Sequence, residues 1–214
     1  MGIPFCPTRC AYCSFVSNSV EKSFHLVEPY LEALDREIDS AAGMVKELGL
    51  RVKSFYMGGG TPTTLTAEQM DRLLCTLEEN FDLNVAREFT IEAGRPDSIN
   101  ESKLKVMKAH GIQRISINPQ TLNQKTLDVI GRRHTVEDVE RAFQMARKAG
   151  FSNINMDLIL GLPGENSGDV EKTLEGIRRM APDSLTVHSL AVKRASRLNQ
   201  NLDCLLYTSP SPRD

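Results

Sequence analysis

Three thiols stand within eight residues near the start of the chain, Cys6-Pro7-Thr8-Arg9-Cys10-Ala11-Tyr12-Cys13, in the spacing C-x₃-C-x₂-C. Thiolates are soft ligands that suit zinc and iron–sulfur clusters, and both usually take four protein donors. This loop offers three. A cubane cluster on three cysteines keeps one iron open, and an open coordination site is where chemistry takes place. The spacing also admits a three-thiol zinc site with a distant fourth ligand, or cysteines without a metal. A second group is the run Gly58-Gly59-Gly60-Thr61, which lets backbone amides approach a ligand without side-chain obstruction. A tight strand-to-helix turn would use the same glycines. Further along stand Glu92, Gln120, Arg132 and Asp157, each ordinary taken singly. Together they offer carboxylates, an amide and a guanidinium, enough to grip the carboxylate, amine and ribose of an amino-acid nucleoside.

The elements that must position these groups alternate. Residues 20–48 carry Leu31, Leu34, Ile38, Ala41, Ala42 and Val45 at three- and four-residue steps, which predicts one buried helical face. Val52–Met57 reads as a strand entering the glycine run. Thr66 and Gln69 open the next helix as a capping box, with Met70, Leu73, Leu74 and Leu77 turned inward and Cys75 expected in the core. Strands are predicted at 88–92, 113–118, 153–159 and 184–188, and further helices lie between them, one capped by Thr135. Counting a clipped strand before the cysteines, about six β-then-α units predict a parallel sheet with helices outside, a partial (β/α)6 barrel. In such folds functional residues gather at the carboxyl ends of strands. The cysteines, Gly58–Thr61, Glu92, Gln120 and Asp157 are all expected there.

The cysteine spacing, with Tyr12 before Cys13, resembles the radical S-adenosylmethionine (SAM) superfamily, and the glycine run matches that superfamily's glycine motif. The resemblance implies a [4Fe–4S] cluster on Cys6, Cys10 and Cys13. SAM then binds the open iron, and one-electron reduction cleaves it to a 5′-deoxyadenosyl radical. Ile3-Pro4-Phe5-Cys6, Gly58-Gly59-Gly60-Thr61-Pro62-Thr63, Ile117-Asn118-Pro119-Gln120 and Met156 to Gly164 look like the oxygen-independent coproporphyrinogen III oxidase family. Val187 to Ala195 resembles its coproporphyrinogen dehydrogenase branch. By matched position, the family implies Gly59 and Glu92 as contacts to one SAM. Tyr12, Gly60, Thr61, Gln120, Arg132, Asp157 and the backbone of Ala191 would contact or line the pocket of a second. The implied reaction is oxidative decarboxylation of two propionates of a tetrapyrrole to vinyl groups, fed by a flavodoxin- or ferredoxin-type reductant. Two features depart from the pattern: Phe15 stands where the well-studied branch has a further cysteine, and a tyrosine expected before Cys6 has no counterpart. Haem-chaperone relatives share the cysteine loop and glycine motif, so a chaperone without decarboxylase activity is the alternative reading.

Length and composition bound the rest. The chain has 214 residues, 40% hydrophobic and 25% charged, with a net charge of −2. That is ordinary for one globular domain and gives no ground for non-specific nucleic-acid binding. There is no apolar run long enough to span a bilayer. Five cysteines, three of them packed together, suit metal ligation in a reducing compartment, so a cytoplasmic protein is expected. Residues 204–214 resemble a translated transposon end plus sequencing adaptor. The expected native core domain is therefore 1–203, cut at both ends.

Overall fold

The computed structural model describes residues 1–15 and 18–200; the expected adaptor segment lies outside them. Six parallel strands run side by side in chain order: β1 (Gly2–Ile3), β4 (Ser54–Gly59), β5 (Glu88–Glu92), β6 (Arg114–Ser116), β7 (Ile154–Leu160) and β8 (Ser184–Ser189). Every pairing in this sheet is parallel, so the expected open six-strand arrangement is the one that forms. The cysteine segment adds a small parallel pair that sequence pattern did not indicate, β2 (Phe5–Cys6) with β3 (Asn18–Ser19).

Helices provide the crossovers that parallel strands require. After the short α1 (Val20–Ser23), α2 (Val27–Glu47) and α3 (Ala67–Asn80) flank β4 in sequence. The remaining helices are α4 (Glu101–Ala109), α5 (Gln124–Val129), α6 (Val136–Lys148), α7 (Ser167–Met180) and the terminal turn α8 (Arg197–Gln200). The Thr66–Gln69 capping box is present in both directions, at 3.0 and 3.2 Å. Thr135 caps α6 in the same way through Asp138. Each box satisfies backbone donors that a helix start otherwise leaves unpaired.

The core joins Leu31, Leu34 and Ile38 of α2, Met70, Leu73, Leu74 and Leu77 of α3, and Met57, Ile91, Ile115 and Met156 from the strands. Phe55 and Phe89 meet edge to face across β4 and β5, 4.8 Å between centroids. Three expectations need correction. Ala41, Ala42 and Val45 are only half-buried, because the fully buried stripe of α2 ends at Ile38. Cys75 is exposed, not core. It follows Leu74 on α3 but points off the buried stripe, toward the end of α4. There His110 contacts Asp71 and Glu78, at 2.9 and 3.0 Å, and so staples the two helices. Asp157 lies in the middle of β7 rather than at its end. β6 is short, and an irregular segment through Gln120 takes its place beside Leu158.

Gly43 sits in the interior of α2, exposed, with nothing within 4 Å of where a Cβ would stand. Gly43→Ala is therefore expected to stabilise the chain by about 0.5–1 kcal/mol, read as a raised urea midpoint at unchanged m-value.

Candidate functional site

The site begins where β2 runs into the cysteine loop. Gly60 N–H donates to Ile3 O and Thr61 N–H to Phe5 O, both at 2.8 Å, so the glycine run extends the sheet pairing onto the strand that carries Cys6. A Cβ at Gly60 would lie 2.7 Å from Phe5 O, 2.8 Å from Ile3 O and 3.0 Å from the Cys6 sulfur. Glycine is required there by close approach. Its first partner is thus the cysteine strand itself. The neighbouring Gly59, at φ +99°, turns its own amide to the Glu92 carboxylate.

The loop beyond Cys6 is tied down from distant parts of the chain. Ala11 N–H donates to Ile130 O at 2.9 Å, and the Thr8 hydroxyl donates to Gly131 O at the same distance. Leu198 N–H reaches Ala11 O at 3.0 Å, and the Arg9 guanidinium reaches Ala195 O at 3.4 Å. A turn closes the loop, with Cys13 N–H on Cys10 O at 3.2 Å.

Each sulfur has a donor directed at it. The Thr61 hydroxyl faces Cys6 at 3.6 Å, Arg95 Nη1 faces Cys10 at 3.5 Å, and the Phe15 amide serves Cys13. Burial pushes the Cys10 thiol up, but the Arg132 and Arg95 guanidiniums, with hydrogen bonds from Tyr12 and Arg132, bring it below the ordinary thiol value. Burial and the neighbouring thiols hold Cys13 above that value. The surroundings of Cys10 thus favour a sulfur carrying negative charge. Donors on ligand sulfurs are also what tunes an iron–sulfur centre.

A cavity of about 470 Å³ opens above the loop. Its wall includes all three cysteines together with Tyr12, Gly59, Gly60, Thr61, Glu92, Gln120, Arg132, Asp157 and Ala191. Twelve residues picked from the sequence, spread over nearly the whole chain, thus converge on one space.

Several wall groups hold unused bonding capacity. Gln120 is buried, and its Oε1 has no hydrogen-bond partner. Its backbone adopts φ +68°, the left-handed region that costs a non-glycine residue about 1 kcal/mol. That geometry is fixed from both sides, by Gln120 N–H on Asp157 O and Ile159 N–H on Gln120 O, each 3.0 Å. Arg132 is buried with Nη1 on Asn118 O, and its Nε is unpartnered. Glu92 is half-buried, and burial raises its carboxyl although the Tyr56 hydroxyl and the Gly59 amide donate to it; the Asp157 charge raises it further. A cationic amine would relieve that pair of carboxylates. The donor set and the orphaned polar atoms fit a three-cysteine cluster with SAM beside it.

Sequence reasoning missed Arg95, Thr8, Asn118 and Tyr56. Arg95-Pro96 reads as a strand terminator, and only the charge at the end of a functional strand pointed further. His134, also missed, is fully buried with neither ring nitrogen hydrogen-bonded.

A profile of the radical SAM superfamily matches residues 2–177, and the chain belongs to that superfamily. Within it, the chain is 46% identical over 202 residues to the oxygen-independent coproporphyrinogen-III oxidase-like protein HemZ of Bacillus subtilis, covering 94% of this chain and 40% of that one. It is 40% identical over 177 residues to the heme chaperone HemW of Lactococcus lactis, covering 81% and 44%. The solved structure of coproporphyrinogen III oxidase HemN from Escherichia coli, described as a radical SAM enzyme, superposes with a TM-score of 0.85 at 30% identity, over 99% of this chain and 48% of that one. The chain therefore spans less than half the length of these relatives.

Two outcomes are expected. Gly60→Ala must push the cysteine strand off β4, and should cut iron uptake on anaerobic reconstitution at least several-fold; uptake equal to wild type contradicts the close-packing argument. His134 is lowered to about 4, by burial and then by the Arg132 and Arg95 charges. The unfolded chain, with the ordinary histidine value of 6.5, protonates first as pH falls. Stability is thus full above 6.5 and drains between 6.5 and about 4, by on the order of 2–3 kcal/mol. In His134→Gln that portion of the acid limb should be missing from urea unfolding measured across the window.

Proposed function

We propose that the chain is the cluster- and SAM-binding part of a radical SAM oxidoreductase that decarboxylates propionate side chains of coproporphyrinogen III without oxygen. One observation carries the site assignment: the three thiols and all nine expected SAM contacts line one cavity over the strand ends. Cys6, Cys10 and Cys13 hold the cluster. Glu92 and Gly59 receive the first SAM, with Glu92 taking its positive amine. Tyr12, Gly60, Thr61, Gln120, Arg132, Asp157 and Ala191 form the place of a second. When bound, the cluster and SAM supply one-electron, hydrogen-abstracting chemistry, which the protein's own side chains cannot.

The remaining work falls to this chain's residues. Arg132 neutralises a carboxylate or the sulfur charge, and the unpartnered Gln120 oxygen accepts from a ligand N–H or O–H. Arg9 and Lys193 lie on the cavity wall and can meet substrate carboxylates from its mouth. In the overall change each propionate would give one hydrogen atom to the radical that bound SAM supplies, release carbon dioxide and pass one electron to a separate one-electron acceptor, leaving a vinyl group. The likeness to named coproporphyrinogen oxidases supports the substrate, and a flavodoxin- or ferredoxin-type protein would deliver the reducing electron.

A second reading has its own support. Identity to a named heme chaperone is 40%, and Phe15, 68% exposed on the cavity wall, stands where the well-studied oxidase branch has a cysteine. A chaperone of this type would keep the cluster loop and bind haem without decarboxylation.

The deciding experiment is anaerobic. The chain, extended to the length of its relatives and loaded with iron and sulfide, is given reductant, SAM and coproporphyrinogen III. Formation of protoporphyrinogen IX is expected, and at least a 100-fold loss in Cys10→Ser together with the cluster's visible absorbance. Stoichiometric haem binding with no vinyl product would establish the chaperone reading instead.

A further inference from the structure

Arg95 has no role in the assignments above, yet with Arg132 it is one of two buried cations beside Cys10, and its Nη1 lies 3.5 Å from that sulfur. It leaves the end of β5 only three residues after Glu92 and is 3% exposed. Nε and Nη2 grip the two oxygens of Asp97 at 3.1 and 3.3 Å. Nη2 also donates to the Thr8 hydroxyl at 2.9 Å, and Nη1 is left facing the Cys10 sulfur at 3.5 Å. A guanidinium is planar, permanently charged and forked. Once Asp97 holds one edge, the direction of Nη1 is determined. Thr8 passes the same constraint on to Gly131, next to Arg132.

Burying a charge is expensive, and pairing it with Asp97 alone does not require a place beneath the thiols. What that place adds is an N–H aimed at a ligand sulfur. His134, the titratable neighbour on the other side of Asp97, lies 3.9 Å from it and is neutral above its depressed range. Arg95 and Asp97 therefore balance each other without a third charge between them. Reduction of an iron–sulfur cluster adds an electron that is shared with the sulfurs. Hydrogen bonds to those sulfurs and the local net charge set how readily the electron is accepted.

We infer that Arg95 is a positioning residue for the cluster: held by Asp97, it orients Cys10 and raises the potential at which the cluster takes up its electron. This rests on the reading of the cysteine loop as a cluster site.

The test uses the chain reconstituted anaerobically with ferrous iron and sulfide. Iron per chain is measured, and the midpoint potential is followed by electron paramagnetic resonance during a redox titration. Arg95→Gln is expected to lower the reduced-to-oxidised ratio at fixed potential at least tenfold, a downward shift of 59 mV for a one-electron couple. Arg95→Lys, which keeps the charge but loses the fork, should fall between Gln and wild type. A loaded Arg95→Gln chain with the wild-type midpoint overturns the inference. If that variant takes up no iron, Arg95→Lys decides, and a loaded Arg95→Lys chain with a midpoint at or above wild type overturns it. A wild-type chain that takes up no iron removes the cluster reading and this inference with it, a result distinct from loaded variants that share one potential.

Discussion

The structure depends on the contact between the glycine run and the strand that carries Cys6. Two short backbone hydrogen bonds, from Gly60 to Ile3 and from Thr61 to Phe5, are possible only because nothing larger than hydrogen projects from Gly60. They dock the first strand at the edge of the sheet and set the height of the cysteine loop over the strand ends. Thr61 then meets the Cys6 sulfur, and Gly59 meets Glu92. One steric requirement thus links the cysteine loop to the groups proposed to receive SAM.

The same architecture explains why polar groups that are costly to bury stay where they are. Arg95 and Gln120 sit on irregular backbone leaving β5 and β6 and Arg132 on the turn after α5, with Asp97 gripping Arg95 and Asn118 accepting from Arg132. Their remaining valences point to the cavity or to the thiols. An unsatisfied buried donor or acceptor costs roughly 1–3 kcal/mol. The fold tolerates that cost at Gln120 and Arg132, where a ligand would repay it.

Much of this was legible in the sequence because it depends on local spacing. The C-x₃-C-x₂-C loop, the glycine run, the two capping boxes and the alternation of strand and helix are all encoded within a few residues. The gathering of Glu92, Gln120 and Asp157 followed from the rule that strand ends share a face, although Asp157 shares it from mid-strand; Arg132 joins them from the turn after α5. Arg95 was not legible. Its meaning lies in Cys10 and Thr8, more than eighty residues earlier, and no periodicity records a contact of that kind. Cys75 failed for the opposite reason. Its apolar neighbours Leu73 and Leu74 suggested burial, but one step of the helix carries it past the buried stripe.

The ties that close the cysteine loop also fix an order in time. Ala11 is bonded to Leu198 and Arg9 to Ala195, the latter pair 186 residues apart. Translation at about 5–20 residues per second separates the two ends by on the order of 10–40 s. The thiols are the first part of the site to be made and the last to be enclosed. Until β8 and the segment after it arrive, the loop lacks its outer wall, and its sulfurs face whatever the surrounding medium contains. Oxygen or stray metal during that interval reaches them before the cavity exists to select what enters.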